Sequence, residues 1–129
     1  MGVVDNWDEK TWDGKAWNEV EGIKQTHAIV THTYHGEIEG EATGHSLMAY
    51  NADGTVSFVG LTTINGKVAN RSGSFVLQHT GTFENGVAKA TSFVVPGSGT
   101  GELVGLRGEG SYETGHSMDV PYTFDYEFQ

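Results

Sequence analysis

Hydrophobic and polar residues alternate with a period of two along almost the whole chain after residue 25. The C-terminal stretch is the clearest case. Val120, Tyr122, Phe124, Tyr126 and Phe128 fall on one side, and Pro121, Thr123, Asp125 and Glu127 on the other. Successive side chains of an extended chain point to opposite faces, so this pattern predicts a strand with one buried and one wet face. The alternation also runs through residues 26–43, read as one long strand, and through 45–50, 55–63, 73–83, 87–95 and 102–112. Turn chemistry separates these runs. Asp53-Gly54, Asn65-Gly66 and Asn85-Gly86 are hairpin dipeptides that accept positive φ, residues 70–73 allow another bend, and Pro96 opens a glycine-rich loop. No stretch of ten residues has helical period. The pattern predicts seven strands, or eight if residues 2–8 pair with a neighbour. Short hairpins in succession predict an all-β, antiparallel, up-and-down barrel, because closure removes exposed sheet edges. Residues 9–25, with Trp12 and Trp17, follow no clean period and read as a loop or lid over one end. A single domain over residues 1–129 is expected.

Composition sharpens this picture. The 19 glycines would suggest disorder in a polar chain, but 3 Trp, 5 Tyr and 6 Phe are spread among them. Glycine scattered between aromatic and β-branched residues points to turns, bulges and strand bends. Cysteine is absent, which removes disulfides, thiolate metal sites and cysteine nucleophiles together. A formal net charge of −10 argues against nucleic acid and anionic membrane surfaces as partners. The opening residues MGVVDNWDEK lack the basic and apolar segments of a secretion signal, and no apolar run is long enough to cross a bilayer. A cytoplasmic protein is the expectation. Asn70-Arg71-Ser72 spells a glycosylation sequon that carries little weight without secretion.

Several residues are candidates for chemistry. Glu37, Glu39 and Glu41 share a strand face with His27 and His35. An inward Glu39 or Glu41 would gain a raised pKa and suit proton transfer. The competing reading is a solvated outer face, with Ala28, Val30, Tyr34 and Ile38 turned inward. Gln78 and His79 sit in an otherwise apolar strand, where Phe75, Leu77, His79, Gly81 and Phe83 share a face. His79 there is either a general base or a hydrogen-bonded wall residue. Arg107 forms an ion pair with Glu109 or binds an anionic ligand group. Tyr50, Phe75, Phe93, Tyr122, Phe124 and Tyr126 are candidate ligand-lining residues. His32 and His35, three apart, fall on opposite strand faces, and no metal-ligand spacing or cofactor motif is present, so neither metal nor cofactor is expected. The run Gly97-Ser98-Gly99-Thr100-Gly101 lacks the lysine and following helix of a phosphate loop.

The runs RSGSFVLQHTGTF (71–83), VVPGSGTGELVGLRGEG (94–110) and HGEIEGEATGHSLMAYNADGTVSFVGL (35–61) resemble the bacterial family called domain of unknown function 3224. The likeness covers residues 26–129, with Trp7-Asp8-Glu9 fitting the first strand. The resemblance implies a small closed barrel like that of allene oxide cyclase, whose relatives hold a mostly apolar molecule inside. Three functions stay open: a carrier or sensor of a small, largely apolar molecule; a cofactor-free isomerase or cyclase using an interior Glu or His; and a structural module with a filled barrel. Homo-oligomers are expected, with Val59, Leu61 and Val94 on the outer faces.

Overall fold

The computed structural model describes residues 2–12, 14–15, 23–114 and 119–129. Trp17 lies outside the described residues. Among the described residues nine strands form one antiparallel sheet: β1 (Gly2–Thr11), β2 (Lys24–Tyr34), β3 (Ile38–Tyr50), β4 (Val56–Val68), β5 (Arg71–Glu84), β6 (Val87–Val94), β7 (Leu106–Thr114), β8 (Asp119–Val120) and β9 (Tyr122–Phe128). A single 3₁₀ turn at Gly101–Leu103 is the one helical piece among the described residues. The strand order is β8-β1-β2-β3-β4-β5-β6-β7-β9, a meander whose two end strands are consecutive in the chain, separated only by Pro121.

Residues 2–8 do pair: β1 runs antiparallel to β2, with a bulge between Val4 and Asn6. Several boundaries differ from the sequence pattern. The strand expected over 102–112 begins only at Leu106, after the 3₁₀ turn at Gly101–Leu103. The run 26–43 is broken at His35–Glu37, where Gly36 takes φ 106°, into the end of β2 and the start of β3. Glu9–Thr11 belong to β1 rather than to a loop. Asn65-Gly66 is not a turn but lies inside β4; the turn comes at Ala69 and Asn70, both with positive φ. Asn85-Gly86, also with positive φ at both residues, is the two-residue hairpin that its sequence predicts.

One face of the sheet carries the core. Ile38, Ala42, Ile64, Val68, Phe75, Leu77, Val94, Leu103, Leu106 and Phe124 are buried in one cluster, with Tyr34, Tyr122, Tyr126 and Phe128 packed against it. Each fully buried large side chain stabilises the fold by roughly 1.5–3 kcal/mol. The aromatic face of β9 and the apolar face of β5 therefore point where alternation predicts. Val94 faces this core and not the outside, because Ala90, Ser92 and Val94 share the inner parity of β6. Leu47, Val59, Leu61 and Phe93 are the exposed large apolar residues of β3 to β6.

Candidate functional site

The core fills one end of the inner face; the next levels of that face are polar. Register places the residues. Glu9 stands opposite Ala28, Ala28 opposite Ser46, Ser46 opposite Gly60, and Gly60 opposite His79. His79 continues to Ser92, Gly110 and Phe124. A carboxylate, two hydroxyls and an imidazole thus share a single level across eight strands, with Ala and Gly between them. The glycines make room for rings: a Cβ on Gly60 would come within 2.9 Å of His79 Cε1, and one on Gly81 within 2.6 Å of Phe58 Cζ. The neighbouring level holds Thr11, Thr26, Met48, Phe58, Gly81, Ala90 and Tyr112.

Glu9 is buried. Thr26 Oγ1 donates to its Oε2 at 2.6 Å, the Tyr50 hydroxyl donates to the same oxygen, and Trp7 Nε1 donates to Oε1 at 3.0 Å. Burial, followed by the hydrogen bond to Glu9, pushes the Tyr50 phenol well above its ordinary pKa, so it remains a proton donor. At the middle of the level, Ser46 Oγ and His79 Nε2 lie 2.9 Å apart, and the His79 ring tilts against Phe58. Burial lowers the His79 pKa, and the charge of His32 lowers it further. Burial also lowers that of His32, partly offset by Asp5. Both imidazoles are therefore neutral at pH 7. Burial raises the Tyr112 phenol to about 12.

These histidines make stability depend on pH with a definite sign. A folded-state pKa below the unfolded value means that the unfolded chain binds more protons. The contribution is fully present above about pH 6.5, the unfolded histidine value, and is lost as the pH falls towards the lowered folded pKa. We expect the urea midpoint to fall as the pH drops below about 6.5, and to fall less in His79→Gln. Equal acid slopes for the two proteins would remove His79 from this account.

Two shallow clefts lie on the outer surface instead. One, of about 550 Å³, is lined by outward Thr80, Thr91, Ser111 and Thr123 beside Lys89 and Glu113. The other, of about 430 Å³, lies between Trp12, His27, Ile29 and Leu47. Neither includes His79 or Glu9.

Residues 3–126 match the family described as "Protein of unknown function (DUF3224)". The chain belongs to the DUF3224 family. It is also similar to the crystal structure of a protein with unknown function from the DUF3224 family of Shewanella oneidensis MR-1, with 29% identity and a TM-score of 0.76. That alignment covers 100% of this chain and 96% of the other. No curated protein matches the chain.

In this DUF3224 protein the residues singled out from sequence separate into two groups. His79, Tyr50, Phe75, Tyr122, Phe124 and Tyr126 share the inner parity of their strands. His79 and Tyr50 make the polar contacts, to Ser46 and to Glu9; Phe75 and Phe124 build the apolar core, and Tyr122 and Tyr126 pack against it. Glu39 and Glu41 stand exposed on the outer face of β3, because Ile38, Gly40 and Ala42 take the inner positions. Gln78, Phe93 and Arg107 are likewise outward: Gln78 pairs with Phe93, and Phe93 with Glu109. The inner carboxylate is Glu9, which sequence reading placed at the edge of a loop. Its signal was present: Trp7, Glu9 and Thr11 share one parity against Asp8 and Lys10. Among the described residues no three His, Asp or Glu side chains are grouped as metal ligands would be, and no helix is long and apolar enough to cross a membrane.

Proposed function

We propose that this protein binds a small, largely apolar molecule inside a sheet that closes on itself as an allene oxide cyclase-like barrel. The observation that carries the reading is the level Glu9–Ala28–Ser46–Gly60–His79–Ser92, where polar groups alternate with small residues next to an apolar end. Binding sites for small molecules have this composition: mostly apolar walls with a few fixed polar anchors. Closure is supported by β8 and β9, which pair with β1 and β7 yet flank a single residue, Pro121. It is supported again by Tyr122 of β9. Its hydroxyl accepts from the Ile38 amide at 3.1 Å, and its ring meets Tyr34 of β2 edge-on. The apolar end would hold the body of the ligand, and Ser46 with His79 would orient its polar group.

A neutral fluorophore such as N-phenyl-1-naphthylamine is expected to bind with one-to-one stoichiometry, and native mass spectrometry of protein from its own host to reveal a bound mass. His79→Ala should weaken binding of a hydrogen-bonding ligand about tenfold, the worth of one buried hydrogen bond. Absence of both the bound mass and the stoichiometric fluorophore would leave the filled-barrel module as the reading.

The isomerase or cyclase reading is favoured by one further observation: Glu9 and a neutral His79 share the level, a carboxylate to stabilise developing positive charge and a base to accept a proton. With the molecule found by mass spectrometry as substrate, loss of turnover in His79→Ala with retained affinity distinguishes it from simple carriage.

A further inference from the structure

A carboxylate taken out of water is costly unless its charge is matched. Glu9 is buried at 7% exposure, yet among the described residues every group that bonds to it is neutral: an indole N–H, a threonine hydroxyl and a phenol. Among the described residues no cation forms an ion pair with it. Lys24, of the inner parity of β2, has its Nζ over the Tyr50 ring, 4.6 Å from the centroid. The two carboxylate oxygens are unequally used. Among the described residues Oε2 takes both hydroxyls, while Oε1 takes the Trp7 indole alone. The unused accepting capacity therefore lies at Oε1, beside Trp7.

Trp7 has the inner parity of β1 and stands opposite buried Val30, on the level next to Glu9. It is nevertheless 49% exposed, although its N–H is already fixed on Glu9. Its neighbours on this level are Val30, Gly44, Thr62 and Leu77, which lead into the apolar core. A buried carboxylate with no ion-paired cation among the described residues, a half-exposed tryptophan bonded to it, and an apolar track beginning beside both are the three elements of an ammonium site. Cations are attracted to the face of tryptophan more strongly than to any other ring.

We propose that Glu9 and Trp7 together hold the ammonium group of an amphiphilic primary amine, whose apolar tail runs into the interior. The inference rests on the interior-binding reading above and specifies the class of molecule. The ammonium donates one hydrogen bond to Glu9 Oε1 and lies against the indole face; Tyr50 and Thr26 hold the carboxylate still. Charge complementarity supports the same choice: anionic amphiphiles would meet Glu9 and a chain of net charge −10.

Calorimetric titration of the full chain with octylammonium chloride and with 1-octanol at pH 7 separates the terms, because the two share a tail and differ in head charge. Octylammonium is expected to bind at least about tenfold tighter, as a charge-assisted hydrogen bond requires. In a Trp12→Phe, Trp17→Phe background it should also change the emission of Trp7. Glu9→Gln should abolish the preference and keep octanol binding. Should that variant fail to fold, Trp7→Leu takes its place, with the preference reduced about threefold. Equal binding of the two probes, or a preference that survives both Glu9→Gln and Trp7→Leu, overturns the ammonium site and leaves the interior reading intact. Failure of both probes to bind overturns the two readings together.

Discussion

Gly66→Ala is expected to lower stability by about 3 kcal/mol, and Tm by about 10 °C, although it adds a single methyl group. The reason is the close approach of three strands. Gly40, Gly66 and Gly73 stand opposite one another on β3, β4 and β5. A Cβ on Gly66 would lie 1.9 Å from the Glu39 carbonyl oxygen and 2.7 Å from Gly40 Cα. Both obstacles are backbone, so no side chain can rotate away. Relief requires β3 and β4 to separate by more than an ångström, and their hydrogen bonds lengthen with them. Gly40 itself adopts φ +148°, a bend that side chains disfavour. Gly54→Ala is the control. Its φ is +88° but nothing lies within 4 Å of the added atom. It should cost only about 1–2 kcal/mol, the penalty of the backbone conformation alone. Thermal denaturation of the two variants, followed by circular dichroism, measures the difference. A Gly66→Ala protein no less stable than Gly54→Ala would mean that the strands are not in contact there.

The same glycine row explains part of what the sequence conceals. Asn-Gly ordinarily marks a hairpin, and Asn85-Gly86 does so because β5 and β6 can pair on both sides of it. Asn65-Gly66 has the same local chemistry, but β4 continues through it because Gly40 and Gly73 let neighbouring backbones close in. Such a choice is made by three segments distant in sequence, and no local pattern contains it. Parity, by contrast, is local. It is readable wherever one strand runs uninterrupted, as in Phe75–Phe83 and Tyr122–Phe128, and it puts His79 on the same face of β5 as Phe75 and Leu77. Parity of the acidic run 37–41 was ambiguous, since either face of β3 offers a plausible set. The apolar weight of Ile38, Ala42 and Met48 decides it, and turns Glu39 and Glu41 to solvent. Glu9 was the harder case. Its hydroxyl donors, Thr26 and Tyr50, are 17 and 41 residues away. A glutamate becomes tolerable in the interior only when long-range register delivers both, which composition cannot reveal.

Phe75→Ala is expected to have the largest effect, about 4 kcal/mol of lost stability, within the usual range for emptying a buried phenylalanine site. Phe75 is 1% exposed, stacks against Phe124 with centroids 6.3 Å apart, and stands opposite fully buried Ile64. It therefore joins β4, β5 and β9 at the centre of the apolar end. The lost contacts come from strands that the polar level also uses, but two levels away: His79 lies four residues further along β5, with its own partners Ser46 and Phe58. The variant should consequently unfold at much lower urea while the His79 imidazole, followed by NMR, keeps its lowered pKa in the folded protein. The vacated space is lined by apolar side chains and should remain dry, so it becomes a site for benzene. Saturating benzene should then restore stability in proportion to its binding, by about 2.7 kcal/mol at a concentration one hundred times its Kd. Phe75→Leu, which keeps most of the volume, should cost far less than Phe75→Ala and gain nothing from benzene. A Phe75→Ala protein that lost less than about 1 kcal/mol would mean that this end of the inner face is not where the fold is held together. If instead the His79 pKa returned to its ordinary value in that variant, the apolar end and the polar level would be one cooperative unit, and ligand binding at the polar level would depend on the packing around Phe75.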